Sequence, residues 1–178
     1  MNKFEKVKRT DDGTIPCRAT RYSAGYDLYA SEDIIIPSLM EAIKNLDKRY
    51  DTTVNFNLAD LALALKSHFG FRPTLVPTGI KVKLESDCFL SISARSSLPY
   101  KNLLIVANAP GIIDADYYNN LDNEGEIFIQ LLNLSPYDAI IKKGDKLAQG
   151  VIERYYKVDD DEMEINLERT GGFGSTGD

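Results

Sequence analysis

A short stretch of the chain, residues 108–118, carries the side chains best suited to chemistry. Asn108 offers an amide, a Pro-Gly pair a tight bend, Asp114 a carboxylate and Tyr117 an aromatic ring. A rigid turn of this composition can bind a small planar ligand through its backbone while a carboxylate activates a water molecule. Carboxylates beside turns more often serve only the turn, so this stretch by itself leaves both interpretations open.

The residues on either side predict the element that holds this stretch. An apolar run, residues 103–107, leads into it, and a strand-like run, residues 126–132, follows it. Two strand patterns joined through a Pro-Gly bend are typical of a β-hairpin. We therefore expect the polar groups to lie at the hairpin tip and on its exit strand.

Similar strand-like runs, separated by turn residues, recur along most of the chain. They predict an all-β sandwich or barrel-like fold within a single domain, residues 1–178. The runs are residues 26–29, 33–36, 80–84, 89–93, 103–107, 127–132, 139–141 and 147–156.

One segment, residues 38–71, has a different pattern. It opens with the capping-box sequence Ser-Leu-Met-Glu and continues with apolar residues at helical spacing. Asn57 can cap a second helix, and Gly70 can end it. We predict an inserted α-helical hairpin that packs on the β domain, with docking of a protein partner as its second candidate role.

The C-terminal segment, residues 159–178, predicts a flexible arm that is first acidic and then glycine-rich. Six acidic residues and no basic one lie between positions 159 and 168. Four glycines then fall within residues 169–177, where free backbone N–H groups can approach an anion.

Composition excludes several other functions. Outside the acidic segment 21 acidic and 21 basic residues balance, so we expect no broad basic face for polymeric nucleic acid. No apolar run approaches the roughly 20 residues that span a bilayer, and no signal-peptide pattern opens the chain. Cys17, Cys88 and the single histidine, His68, are too scattered for a zinc site. Reduced cysteines and a cytoplasmic location are the expectation.

Five segments resemble, in their order and spacing, the five motifs of the homotrimeric dUTP pyrophosphatase (dUTPase) family. They are residues 24–30, 94–101, 111–117, 143–149 and 169–177, and the resemblance extends over nearly the whole chain apart from the insert. It implies a β jelly-roll subunit and a homotrimer with three active sites at subunit interfaces. It also implies Mg²⁺-dependent hydrolysis of dUTP to dUMP and pyrophosphate, with the arm of one subunit closing a pocket formed by the other two.

The resemblance assigns the nucleoside end of the site to the predicted hairpin. Asp114 corresponds to the catalytic carboxylate that orients and deprotonates the attacking water. The Tyr117 ring would pack against the deoxyribose and exclude a ribose 2′-hydroxyl. The uracil edge would be bound by the hairpin around Asn108, Gly111 and Ile112.

The resemblance assigns the triphosphate to the other motifs. Arg95 and Ser96 match the phosphate-binding pair of the second motif, and Gln149 matches the glutamine of the fourth. Asp27 matches the first-motif aspartate that orders Mg²⁺-bound waters. In the arm, the implied substrate-binding residues are Phe173, which would stack on the uracil, Gly174 beside it, and Arg169, Ser175 and Thr176, which would reach the β- and γ-phosphates.

Two departures from the family pattern and two alternatives remain. The third motif of the family commonly ends in Tyr, a basic or amide residue and then Gly, whereas here Tyr118, Asn119 and Asn120 follow Tyr117, so the local turn must differ. The spacing from Arg169 to the Phe of the arm is one residue shorter than in many members. A dCTP deaminase, which shares the trimeric fold, is one alternative. A dUTP-gated regulatory protein that uses the insert for docking is the other.

Overall fold

The computed structural model describes residues 1–39 and 72–158. Strands dominate this part of the chain, and each pairing between them is antiparallel. In chain order the elements are β1 (Lys3–Lys6), β2 (Cys17–Arg18), β3 (Tyr26–Tyr29), β4 (Ile34–Ile36), β5 (Thr74–Pro77), β6 (Ile80–Lys83), β7 (Cys88–Ala94), α1 (Ser97–Asn102), β8 (Leu104–Val106), β9 (Gly111–Ile113), a 3₁₀ helix (Ala115–Tyr117), β10 (Phe128–Asn133), β11 (Ala139–Ile141) and β12 (Lys146–Arg154).

Within the described residues the strands form four antiparallel sheets. The largest has five strands in the order β2-β3-β12-β7-β9, and a three-stranded sheet has the order β5-β10-β8. Two-stranded sheets pair β1 with β6 and β4 with β11. Between them lies one apolar cluster of mostly aliphatic side chains, which includes Leu28, Leu90, Ile129 and Leu131, each no more than 1% exposed. Burying such side chains is the main stabilising term of the fold.

The predicted all-β class is confirmed, and two strands have the predicted bounds. β3 and β11 coincide with the predicted runs 26–29 and 139–141. β8 and β10 pair antiparallel, with Val106 opposite Leu131, as the hairpin interpretation requires. The segment between them differs from a simple tip, because β9 leaves this sheet and pairs with β7 in the five-stranded one.

The predicted helical hairpin, residues 38–71, and the predicted arm, residues 159–178, lie almost wholly outside the described residues. The described start of the insert is anchored on the β domain. The Ser38 backbone N–H donates to the Asp138 carboxylate at 2.8 Å, and Ser38 forms an isolated bridge with Asn133. Both cysteines are free thiols, and no helix within residues 1–39 and 72–158 is long and apolar enough to cross a membrane.

Candidate active site

Residues 108–118, which carry the side chains best suited to chemistry, follow a strand of the three-stranded sheet and contribute a strand to the five-stranded sheet. After β8 the chain turns through a cis Ala109–Pro110 bond and enters β9, where Gly111 pairs with Ile92 of β7. A cavity of about 170 Å³ opens where β9 and β7 of one sheet face β8 and β10 of the other. Aliphatic side chains, two aromatic rings, two amides and a glycine line it: Ile92, Val106, Asn108, Gly111, Ile112, Ile113, Tyr117, Phe128, Ile129 and Gln130. Small planar ligands with polar edges suit such a lining.

Gly111 allows the Asn108 amide to lie close to the backbone of β9. A Cβ atom at position 111 would stand 3.1 Å from Asn108 Nδ2, closer than ordinary van der Waals contact. The lack of a side chain at Gly111 therefore permits this close contact. The backbone conformation of Gly111 is one that any residue can adopt. Ile112, next along β9, is 48% exposed.

Tyr117 is held in a fixed position at the end of the 3₁₀ helix. Its side chain is buried, and its hydroxyl donates to the Glu126 carbonyl at 3.0 Å. The same hydroxyl accepts a bond from Asn123 Nδ2 at 2.8 Å. A phenol with two such partners has little rotational freedom, so the ring forms a rigid wall of the cavity.

Asp114 stands at the end of β9, where the strand becomes the 3₁₀ helix. Its backbone is extended (φ −78°, ψ 161°), and its carbonyl accepts the Tyr117 N–H at 3.2 Å. The residue is exposed, three positions before the cavity-lining ring of Tyr117. A carboxylate in this position can reach a water molecule beside a ligand in the cavity.

A second polar cluster centres on Asp27, in β3. This carboxylate is buried, and Lys146 Nζ lies 2.8 Å from its Oδ2. Arg95 Nε lies 3.2 Å from its Oδ1, and Gln149 Nε2 donates to the same oxygen at 3.4 Å. Burial by itself would raise the pKa of Asp27, but hydrogen bonds from Lys146 and Gln149 and the charge of Arg95 hold that pKa below its usual 3.8. The cluster carries two cations and one anion, so it is net positive.

A β-bulge in β12 brings the two β12 side chains to this cluster. Gln149 pairs with Asp27 and Lys146 pairs with Tyr29, but the register shifts between positions 146 and 148. Lys146 and Gln149 are three positions apart, so a regular strand would place their side chains on opposite faces of the sheet, whereas the bulge at Leu147 places them on the same face. Bulges commonly redirect a side chain next to a functional site in this way. Lys146 stays exposed, and its ammonium group reaches the buried Asp27 carboxylate.

The cluster opens into a cleft that suits an anion. The cleft has a volume of about 690 Å³, and its charged lining consists of three cations, Arg95, Lys101 and Lys146, and two carboxylates, Asp138 and Asp145, so it carries a small net positive charge. Arg95 follows β7, and Ser96 is the exposed N-cap residue of α1. The Arg95 Nε is buried and makes no aligned hydrogen bond, although it lies beside Asp27.

Sheet register separates the two halves of the site within one chain. Ile113 pairs with Leu90, so the extended Asp114 lies level with Phe89 on β7. Arg95 is six residues further along that strand, or about 20 Å at 3.3 Å per residue. The residues brought together at the cavity are Asn108, Gly111, Ile112 and Tyr117, with Asp114 beside them; those brought together at the cluster are Asp27, Arg95 and Gln149, with Ser96 next to Arg95.

The remaining predicted site residues belong to the C-terminal arm, and three further site residues were not predicted. Arg169, Phe173, Gly174, Ser175 and Thr176 lie outside the described residues. The structure adds three residues that were not predicted as site residues: Lys146, which pairs with Asp27, and Asn123 and Glu126, which hold the Tyr117 hydroxyl. Only Lys146 had a signal in the sequence, since it lies within a motif segment.

The domain is all-β and combines an amide-lined cavity, a neighbouring exposed carboxylate and a separate cationic cleft. This is the layout of a nucleotide-binding β protein. A family model described as dUTPase matches residues 59–177. The chain is 37% identical over 176 residues to a deoxyuridine 5′-triphosphate nucleotidohydrolase of Lactococcus lactis, and the match covers 98% of this chain and 96% of that protein. The chain belongs to the dUTPase family.

Solved structures agree with this assignment. The structure is similar to a crystal structure of a dUTPase from Streptococcus mutans, with a TM-score of 0.67 and 30% identity, over 88% of this chain and 98% of that one. A mutant dUTPase from phage phi11 of S. aureus, described with a structural Mg(II) ion, shares the fold at 17% identity and a TM-score of 0.61, over 92% of this chain and 97% of that one. The predicted family and the dUTPase-like jelly-roll class are thus confirmed.

Proposed function

We propose that the chain is a dUTP diphosphatase that hydrolyses dUTP to dUMP and pyrophosphate, lowering the dUTP level and supplying dUMP for thymidylate synthesis. One observation carries the proposal: the cavity bounded by Asn108, Gly111 and Tyr117 has the exposed Asp114 at its edge. Family membership supports the same reaction, since the relative from Lactococcus lactis is named a deoxyuridine 5′-triphosphate nucleotidohydrolase.

The cavity would hold the nucleoside. The Asn108 amide and the backbone of Gly111 and Ile112 can pair with the donor and acceptor edge of uracil. The Tyr117 ring, fixed through its hydroxyl, would pack against the deoxyribose. A rigid ring in contact with that sugar leaves no room for a 2′-hydroxyl, so ribonucleotides are rejected by exclusion.

Asp114 would act on the attacking water. Its exposed carboxylate can accept a proton from a water molecule held in line with the α-phosphorus. Attack at that atom breaks the bond to the bridging oxygen of the α- and β-phosphates and releases pyrophosphate. General-base action of this kind contributes about 10²–10⁴ in rate.

The cluster around Asp27 would bind the triphosphate. Arg95 and Lys146 bring positive charge to the cleft, and Gln149 and Ser96 add neutral donors. In this arrangement Asp27 has a role beyond the predicted one, because it fixes both cations before the substrate arrives. Preorganised donors of this kind need no rearrangement as charge develops on the phosphates.

Mg²⁺ is the cation we propose to accompany the triphosphate, where it would neutralise charge. The buried Asp27 carboxylate already has Arg95, Lys146 and Gln149 as neighbours. A carboxylate has about four acceptor positions, so about one remains for a metal-bound water. An outer-sphere role fits, because Mg²⁺ keeps several waters and binds mainly through substrate phosphates.

We propose that the site is shared between the subunits of a homotrimer. No single phosphoryl group can touch both Asp114 and Arg95 of one chain when strand register places them about 20 Å apart. A symmetric assembly can bring the hairpin of one subunit to the cluster of the next. The arm would supply the remaining contacts, with Phe173 on the uracil and Arg169, Gly174, Ser175 and Thr176 toward the phosphates.

Pyrophosphate release from dUTP, dCTP, dTTP and UTP with Mg²⁺ tests the proposal, with Asp114→Asn as the catalytic variant. We expect turnover of dUTP alone, reduced at least about 10²-fold in the variant while dUTP binding persists. Ammonia release from dCTP would instead indicate a deaminase. Binding of dUTP without hydrolysis by the wild-type protein would indicate a nucleotide-gated interaction protein, and the predicted insert would become its candidate docking surface.

A further inference from the structure

The loop that follows Tyr117 is built around the side chains of two asparagines. The Asn120 Oδ1 accepts the backbone N–H groups of Asp122 and Asn123, at 3.0 and 3.1 Å. The Asn123 Oδ1 accepts the Asn120 amide at 2.8 Å and the Gly125 N–H at 3.0 Å. Each side-chain oxygen thus has two donors, which is its full capacity.

This bonding pattern determines how the amides are oriented. Because both Asn123 Oδ1 contacts are donors, its Nδ2 must be the atom that faces the Tyr117 hydroxyl. The hydroxyl accepts that bond and therefore gives its own proton to the Glu126 carbonyl. No other assignment satisfies all of these groups.

The same two asparagines hold Tyr117 at both ends. Asn120 Nδ2 donates to the Tyr117 backbone carbonyl at 2.9 Å, and Asn123 Nδ2 donates to its phenol oxygen at 2.8 Å. Asn120 is 6% exposed, so the backbone bond is shielded from water. The position of the ring is therefore set by the loop as well as by packing.

We propose that Asn120 and Asn123 are positioning residues that set the discrimination between deoxyribonucleotides and ribonucleotides. This inference rests on the proposed function, in which the Tyr117 ring excludes the 2′-hydroxyl by contact. Exclusion by contact depends on the position of the Tyr117 ring. A shift of about 1 Å would make room for an added oxygen, and a displacement of that size changes a rate by up to about 10²-fold. Neither asparagine touches the substrate in this arrangement.

The test is the ratio of kcat/KM for dUTP to kcat/KM for UTP. Four proteins are compared with wild type: Asn123→Ala, Tyr117→Phe, the double variant, and Asp122→Ala as a control with an exposed side chain in the same loop. We expect Asn123→Ala and Tyr117→Phe each to lower the ratio on the order of tenfold. Both single variants remove the bond between Asn123 Nδ2 and the Tyr117 hydroxyl, so the double variant should lose less than the product of the two single losses. The Asp122→Ala ratio should equal that of wild type.

The ratio separates positioning from stability. Partial unfolding removes active molecules and lowers both rates equally, so it leaves the ratio unchanged. If Asn123→Ala does not fold, Asn123→Asp keeps the acceptor for Asn120 and Gly125, removes the donor to Tyr117, and should lower the ratio at least about threefold. An unchanged ratio in a folded Asn123 variant, or a double variant whose loss is the product of the single losses, overturns the inference alone. A wild-type protein that does not hydrolyse dUTP overturns the proposed function and the inference together.

Discussion

Loss of the Arg9 side chain should destabilise the fold strongly, although Arg9 lies near the N-terminus. Its guanidinium meets both oxygens of the Glu126 carboxylate, with Nε at 2.5 Å from Oε2 and Nη2 on Oε1. The carboxylate is 1% exposed and otherwise accepts the Gly79 N–H at 2.9 Å. Arg9→Met would keep most of the side-chain stem and leave a buried carboxylate without its cation.

The expected loss of stability follows from how deeply Arg9 and Glu126 are each buried. Removing one partner of a buried ion pair costs about 3–5 kcal/mol, since the remaining charge stays desolvated. The Arg9 side chain is 45% exposed, so water can enter the vacated space, and we expect the lower end, about 3 kcal/mol. For a chain of this length that change corresponds to about 6–12 °C in Tm.

Thermal unfolding followed by circular dichroism, at one fixed protein concentration, measures the effect. Lys8→Met is the matched control, because the Lys8 side chain is 90% exposed and its Nζ lies 4.0 Å from Glu124. Its loss should cost less than about 1 kcal/mol. Arg9→Met combined with Glu126→Gln should be more stable than Arg9→Met alone, because the buried group is then neutral. An Arg9→Met protein that melts within about 2 °C of wild type would refute the reasoning.

Two further substitutions test the two halves of the site. Gly111→Ala places a Cβ 3.1 Å from Asn108 Nδ2, so it should displace that amide and raise KM for dUTP more than it lowers kcat, as steady-state kinetics would show. The folded-state pKa of Asp27 lies below 3.8, so the stability that this carboxylate contributes is present above that pH and is lost as pH falls through the folded value. Urea unfolding between about pH 3 and 6 should therefore show a flatter acid dependence for Asp27→Asn than for wild type.

Regular alternation made part of the fold predictable from sequence. β3 and β11 have the predicted bounds because each is a short strand-like run between turn residues. β9 was missed, since its three residues follow a Pro and were interpreted as the tip of a hairpin. Its strand character depends on pairing with β7, which is distant in sequence. The helix α1 was missed for a related reason: it has six residues, and a proline lies inside it.

The sequence predicted those site residues whose side-chain type and motif position indicate their role. It did not predict those whose role depends on tertiary geometry. Asp27, Arg95 and Gln149 were placed in one site by resemblance, and the structure brings them together. Lys146 was not predicted as a site residue because its side chain shares the face of Gln149 only through the bulge at Leu147, and a bulge leaves no mark in a periodicity count. Asn123 was missed because it stabilises another side chain, and its own sequence surroundings are those of any polar turn.

Strand register in the five-stranded sheet separates the two halves of the proposed site, which permits a test of whether different subunits supply them. The test needs no structure of the assembly. Asp114→Asn impairs the hairpin half, and Arg95→Gln impairs the cluster half, about 20 Å away along β7. If each site takes its two halves from different subunits, mixed trimers of the two inactive chains contain some sites with both halves intact. Random assembly at equal amounts should restore about one quarter of the wild-type sites, because each half is intact in half of the chains. If both halves come from one chain, every site in the mixture keeps one defect and no activity returns. Co-refolding of the two variants, with each refolded alone as the control, decides between these outcomes.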